Sequence, residues 1–406
     1  MDESRILADA VALAWSDEPA SEVAAIEPEL IDALRDLDGA APADAEQVHD
    51  RIFELLRGVP ALDERVQFEI ESMLLVAERG VEAGPAAPTL RRSEVTVVFA
   101  TDRRPTGAPD AVRGYGAARG DAVSYGTARV ELPDDHRMGR LPRPRRWPLR
   151  FALHGRPGFE LAEATSLGGP LAELRDRAPG QDVLVFVHGY NVGFADAAWR
   201  TAQLAYDLDF SGVPVLYSWP SEGATLSYQV DGENAAASQR SFRAFLRELA
   251  ASTDGGRVHV VAHSMGNRIL TEALSTLGTY RLGHVVFAAP DVDAKVFTDR
   301  AAEFAGTAER YTLYVSGKDR ALAMAKRRAK YPRAGSAGTD IVVVDGIDTI
   351  DASELDTGFL SHSYPMEHRS VVADLYALLC HDQPPGQRFG MRPMMSPRGP
   401  YWVFRR

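Results

Sequence analysis

The rhythm of apolar and polar positions changes near residue 90. Before it, residues 29–37, 45–56 and 62–79 carry apolar side chains at intervals of three and four, which predicts helices, and Pro-, Gly- and Ala-containing breaks separate them. No strand is expected in that region, and Gly84-Pro85-Ala86-Ala87-Pro88 reads as a linker. From Val95 onward, apolar runs alternate with amphipathic stretches. Strands are expected at 95–100, 122–132, 147–153, 183–188, 213–218, 258–263, 284–289, 311–316 and 341–345. Helices are expected at 171–177, 195–208, 233–251, 267–277, 321–329 and 364–380. Val- and Ile-rich strands alternating with helices indicate a mostly parallel sheet covered on both faces, the α/β class. The expected organisation is a small helical accessory domain over 1–90, an α/β domain over 91–382 and an extension over 383–406. That extension is rich in Pro, Met and Arg without periodicity, so an extended strap and a disordered tail both stay open.

Composition narrows the partners. The 406-residue chain carries a net charge of -12, which disfavours nucleic acid or an anionic membrane surface, because both reward clustered Lys and Arg. Six arginines between Arg137 and Arg150 are too local to reverse this and are expected to form a solvated loop. Cys380 is the only cysteine, which excludes an internal disulfide and a dithiol redox site. Met-Asp-Glu-Ser at the start lacks the basic region of a signal peptide, and no run reaches eighteen apolar residues. A cytoplasmic protein without stable membrane insertion is expected.

The chemistry-bearing segment is Val258-His259-Val260-Val261-Ala262-His263-Ser264-Met265-Gly266-Asn267, an apolar strand that breaks at a serine and continues as a helix. Small residues two places either side of Ser264 fit a nucleophile elbow, a sharp turn in which neighbouring backbone passes close to the serine. Ala262 replaces the more usual first glycine. The bland alternative is a serine that merely caps a helix.

A serine nucleophile needs a base, and the base needs an orienting acid. On such a fold the chain order is serine, acid, histidine. Among the histidines after Ser264, His362 lies in a loop between the last expected strand and the last helix, at the carboxyl edge where loops of the sheet collect. For the acid, Asp319 and Asp291 both follow strands at that edge. Asp319 is favoured because it is one strand closer in sequence to the histidine loop, and Asp291 stays open as the alternative, or as a helix cap. Backbone N–H groups of Met265 and of Tyr190, or a neighbour of Tyr190 in the turn after strand 183–188, would form the oxyanion hole. Trp219 and Tyr228 follow strand 213–218 and either line an acyl pocket or cover the sheet. No phosphate-cradling glycine motif and no metal-ligand spacing is present, so no cofactor is expected.

His-Gly-Tyr-Asn at 188–191, Tyr-Ser-Trp-Pro-Ser at 217–221, Ala-His-Ser-Met-Gly-Asn at 262–267, Ala-Pro-Asp-Val-Asp at 289–293, Tyr-Val-Ser-Gly-Lys-Asp-Arg-Ala-Leu at 314–322 and Ser-His-Ser at 361–363 give the chain a specific likeness. Over about residues 94–380 it resembles a bacterial α/β-hydrolase family of uncharacterised function with lipase- and esterase-like elbows. Phe99-Ala100-Thr101-Asp102-Arg103 and Ser124-Tyr125-Gly126 also look like that family's opening segment. The resemblance implies an α/β-hydrolase fold, Ser264 as nucleophile, His362 as base and Asp319 as acid, with Asp291 also in a family motif; it supplies no substrate. The expected activity is hydrolysis of a small-molecule or lipid-like carboxylic ester or thioester through an acyl-enzyme. Amide or peptide cleavage by the same triad is the alternative within enzymes. A non-catalytic scaffold acting through residues 1–90, by a protein partner or self-association, is the alternative outside them.

Overall fold

The computed structural model describes residues 93–107, 114–132, 160–166, 180–223, 227–253, 255–319, 321–322, 325–326, 330–355 and 368–404, with a few positions between 29 and 55. Contacts divide the chain into two units, residues 1–87 with 358–360, and residues 88–357 with 361–406. In the first unit, positions 29–30, 32–33, 51–52 and 55 are helical, and Leu30, Ala33 and Ile52 are buried.

The second unit is built on one eleven-stranded sheet in the order β10-β11-β9-β8-β7-β6-β4-β5-β1-β2-β3. Its strands are β1 (Ser93–Pro105), β2 (Tyr115–Leu132), β3 (Glu160–Ser166), β4 (Val183–Val187), β5 (Val213–Ser218), β6 (Val258–His263), β7 (Leu282–Ala288), β8 (Ala308–Val315), β9 (Ile347–Asp351), β10 (Met391–Ser396) and β11 (Gly399–Phe404). From β1 through β5, β4, β6, β7, β8 and β9 to β11 every pairing is parallel. Antiparallel β2 and β3 extend one side and β10 the other. Helices α1 (Phe194–Asp207), α2 (Tyr228–Ser252), α3 (Gly266–Ser275), α4 (Ala294–Phe304) and α5 (Arg369–Leu379) connect and cover the strands.

Strands β4, β6 and β7 are buried at every position, as expected where helices cover both faces and the strand sequence has no solvent side. Two cores result. Val185, Val260, Val285 and Leu313 pack with Phe242, Phe245 and Ile269 on one face. Phe186, Val261, Val286 and Tyr314 pack with Trp199, Leu204, Leu375 and Leu378 on the other.

Four elements differ from the sequence expectation, of which β3 at Glu160–Ser166 is an additional strand on the edge of the sheet. The expected strand at 341–345 is not a strand: Ile341 and Val342 are buried beside the sheet, and the paired strand is Ile347–Asp351 after a turn at Gly346 (φ 80°). Backbone groups of the arm are held by side chains instead, with Thr349 Oγ1 donating to Val342 O at 3.0 Å and Arg398 to Ile341 O at 3.0 Å. Helix α4 was not expected. It begins at Asp293, whose carboxylate accepts from the Lys295 and Val296 N–H groups. The extension beyond residue 383 is a β-hairpin, anchored by Arg388, which donates to the buried Asp374 carboxylate at 2.8 Å. The strand expected at 147–153 and the helix at 171–177 lie outside the described residues.

At the amino ends of β6 and β7, far from the strand tips, His259 and His284 stack with ring centroids 4.9 Å apart. The His284 N–H donates to His259 Nδ1 at 3.0 Å, so His259 presents Nε2–H to Asp182 at 3.4 Å. Burial, and secondarily the neighbouring His259, pulls His284 down from 6.5 to about 4. The folded protein therefore holds this imidazole neutral while the unfolded chain takes up a proton below about 6.5. Stability should fall as pH drops from about 6.5 to about 4, by on the order of 3 kcal/mol from this group at ~1.4 kcal/mol per unit. Urea unfolding across that range in wild type and His284→Gln checks this, and an equally steep decline in the variant would refute it.

Candidate active site

Ser264 stands between β6 and α3 in the left-handed region, at φ 50°, which costs a non-glycine residue of order 1–3 kcal/mol. Its backbone is fully engaged. The Ser264 N–H donates to Ala288 O at 3.0 Å, and Ser264 O accepts from the N–H groups of Asn267 and Asp291, both at 3.1 Å. The buried Asn267 amide adds bonds to Ala262 O and Ser264 O, each at 3.0 Å.

Two glycines make the turn sterically feasible. A Cβ on Gly266 would sit 2.4 Å from His188 O and 2.9 Å from Val187 O, so the start of α3 lies against the end of β4. A Cβ on Gly189 would sit 2.8 Å from the Ser264 Cβ. The turn after β4 thus abuts Ser264, where an oxyanion donor would have to be. In this turn Asn191, at φ 57°, gives its N–H to Asp231 at 3.2 Å, and the Val192 N–H goes to Ser221 Oγ at 3.1 Å. Asn191 and Val192 are thus tied to Asp231 and Ser221, and Tyr190 stands between them and Gly189. Met265, wholly buried, caps α3 directly after the serine.

Trp219 covers the sheet: it is 0% exposed, stacks on His188 with centroids 5.0 Å apart, and donates its indole N–H to His188 O at 2.7 Å. No exposed ring face remains to line a pocket. His188 is held down near 3, first by burial and then by the Arg103 charge, so it is neutral at ordinary pH. Tyr228 is half-buried and meets Tyr190 edge to face at 5.5 Å.

The two acid candidates have different surroundings. Asp291, after β7, is buried with its carboxylate already committed: Oδ2 accepts from Tyr228 Oη at 2.7 Å and from Arg268 at 2.9 Å, and Oδ1 faces Arg333 Nε at 3.2 Å. Burial and the Asp291 charge push the Tyr228 phenol up to about 12. Asp319 is buried past the tip of β8, and its Oδ1 accepts from the Leu322 N–H at 3.0 Å. His362 lies outside the described residues. Among the described residues no group of His, Cys, Asp and Glu is arranged to hold a metal ion.

A model of the family described as "alpha/beta hydrolase of unknown function (DUF900)" matches residues 167–379. The chain belongs to that family. The matched span runs through β4, the Ser264 turn and both candidate acids to the end of α5. Among curated proteins none matches. Similar solved structures include a thermostable esterase from Pseudomonas putida, at 14% identity over 76% of this chain and 86% of that one, with a TM-score of 0.29. They also include an uncharacterised protein from Capnocytophaga ochracea at 8% identity over 65% and 62%, with a TM-score of 0.32. The esterase domain of a Rhodothermus marinus protein is similar at 12% identity over 68% and 95%, with a TM-score of 0.28. These likenesses are distant, and the membership rests on the family match alone.

Sequence reasoning missed Arg103, Asp231 and Asn267 as organisers of this α/β-hydrolase site. Arg103 and Asn267 stand inside the motifs quoted for the resemblance, whereas Asp231 lies in a polar helix start with no pattern to single it out. The glycine contacts give a direct test. Gly266→Ala should destabilise the fold by at least ~1–3 kcal/mol, because its new methyl meets backbone carbonyls that cannot move independently of β4. Gly278→Ala, with space around its Cβ but a φ of 83°, should show only the smaller cost of backbone strain. Thermal unfolding of both variants checks the ranking, and equal losses would contradict the close approach.

Proposed function

We propose that the chain is a serine hydrolase of carboxylic esters or thioesters that works through an acyl-enzyme on Ser264. The observation that carries this reading is the strained Ser264 backbone at a strand-to-helix junction, with Gly189 and Gly266 allowing the turn after β4 to press against it. In the first half-reaction Ser264 Oγ attacks the acyl carbonyl and its proton passes to His362. Collapse of the tetrahedral adduct expels the alcohol or thiol, which takes that proton. Water then attacks the acyl-enzyme, gives a proton to His362, and the carboxylic acid leaves as Ser264 recovers its hydrogen. N–H groups of Met265 and Tyr190 stabilise the negative oxygen in both adducts.

Asp319 is the acid that orients His362 in this reading. The committed carboxylate of Asp291 supports the choice, because losing its bonds to Arg268 and Tyr228 would leave a guanidinium without its anion. Asp291 instead braces the helix that follows the elbow through Arg268, and Tyr228 flanks the reacting carbonyl through its contact with Tyr190. The substrate is a small or lipid-like ester, and the protein acts in the cytoplasm. Residues 1–90 serve an accessory role toward a protein partner or a second copy. Within the described residues no helix is long and apolar enough to cross a membrane.

A fluorophosphonate probe should label wild type and leave Ser264→Ala unlabelled; label retained by the variant would sink the assignment. With p-nitrophenyl esters of graded chain length, Asp319→Asn should lose roughly 10³–10⁴ in kcat, the scale expected when the orienting acid of a triad is neutralised. Asp291→Asn should act chiefly on thermal stability. If the kcat losses are reversed, Asp291 is the acid. Activity should also decline below pH ~6.5 as His362 takes up a proton, and a flat profile from about pH 5 to 8 would remove His362 as base.

A further inference from the structure

Arg103 is the most deeply buried cation near the candidate site, yet it stands on β1, whose strand supplies nothing to the triad. Its fork reaches β2, the turn after β4, and the end of β5 with the loop that follows it. Nε donates to Ser218 Oγ at 2.9 Å, one terminal nitrogen to Gly116 O at 3.1 Å and Ser221 O at 2.9 Å, and the other to Val192 O at 2.7 Å. These acceptors are all neutral oxygens, while the carboxylates of Asp102, Asp231, Asp196 and Glu222 support the charge electrostatically. The bonds of the fork therefore add direction to a cation whose charge is already balanced nearby. Burial brings Arg103 only to about 10, and the cation persists at neutral pH.

What the fork joins is the turn after β4 and the loop after β5. The same two segments meet again where Ser221 Oγ accepts from the Val192 N–H at 3.1 Å and donates to Asp231 at 2.6 Å. At the other end of the turn, Trp219 holds His188 O. Tyr190 lies between these fixed points, and Gly189 beside it abuts Ser264. A displacement of Val192 therefore moves the donor relative to the nucleophile, and misplacement by about 1 Å in such a site can cost ~10²-fold in rate.

We infer that Arg103, acting with the Ser221 hydroxyl, is a positioning residue that clamps the 188–192 turn so that its amide is aimed at the oxyanion formed on the substrate; this rests on the serine-hydrolase reading. Arg103 touches no substrate. Its contribution is geometric, and lysine cannot reproduce it, since an ammonium on a flexible stem lacks the planar fork that reaches Val192 O and Ser221 O together.

The test uses the full chain with Arg103→Lys, Arg103→Met and Ser221→Ala, a p-nitrophenyl ester and an alkyl trifluoromethyl ketone, whose tetrahedral adduct places an oxyanion in the hole. Both Arg103 variants should lose ~10²–10³ in kcat, the scale of a lost oxyanion donor, with KM within about twofold. The inhibition constant of the ketone should rise in the same ratio, because only the tetrahedral species uses the clamped amide. Ser221→Ala, which loosens the turn at Val192 without removing a charge, should show the same signature at roughly tenfold, and it decides the matter if the Arg103 variants do not fold. A soluble Arg103→Lys protein with wild-type kcat, or a Ser221→Ala protein with unchanged kcat and ketone affinity, overturns the clamp. Absence of ester turnover and of probe labelling in wild type itself would instead overturn the serine-hydrolase reading beneath it.

Discussion

The arrangement around Ser264 depends on close approach of backbone to backbone. Parallel strands β4, β6 and β7 end at one level, and the chain leaving β6 must reverse into a helix while lying against the carbonyls of Val187 and His188. Only a glycine at 266 fits that space, and the left-handed turn at Ser264 follows from it. The strain is offset locally by the bonds from Ser264 to Ala288, Asn267 and Asp291. Core packing sets the level of the strands, so elbow geometry is a consequence of sheet registry as much as of the pentad itself.

A second layer of order comes from buried polar groups. Alongside the buried Trp219, fully satisfied polar networks fix the loops at the strand tips. Asp231 gathers the Asn191 and Glu222 N–H groups and the Ser221 hydroxyl. Asn234 donates to Pro220 O and accepts from Arg119, which ties the same loop to β2. Asp291, between Arg268 and Arg333, does the equivalent on the other side of the elbow.

The parts of this organisation that were legible in sequence are those dominated by period and by chirality. Continuous runs such as 183–187 and 258–263 can only be doubly covered strands, and a serine flanked by small residues at their end signals a left-handed turn. Helix α4 was hidden because its apolar face is only Phe297, Ala301 and Phe304, set among Lys295, Asp299, Arg300 and Glu303. Residues 341–345 misled for the opposite reason: burial made them look like a strand, whereas Ile347-Asp348-Thr349-Ile350-Asp351, with its two acids, is the segment that pairs. The hairpin after residue 383 has no usable alternation, since after the buried Met391 the run Arg392-Pro393-Met394-Met395 is an exposed edge. Networks such as that of Arg103 are set by tertiary proximity between β1 and segments 89 to 118 positions away, and no local pattern encodes that.

The parallel pairing of β11 with β9 also bears on how the sheet is completed. Trp402 and Val403 seat against Ile350 and Asp351, with helix α5 and the Arg388 anchor intervening in sequence. Without the hairpin, β9 would be the open edge of the parallel sheet. Once β11 closes that edge, the outermost strand carries Arg392 and Pro393, a charge and a missing N–H donor that discourage another chain from adding to the sheet. The hairpin thus ends a growth edge that the catalytic core alone would leave available for aggregation.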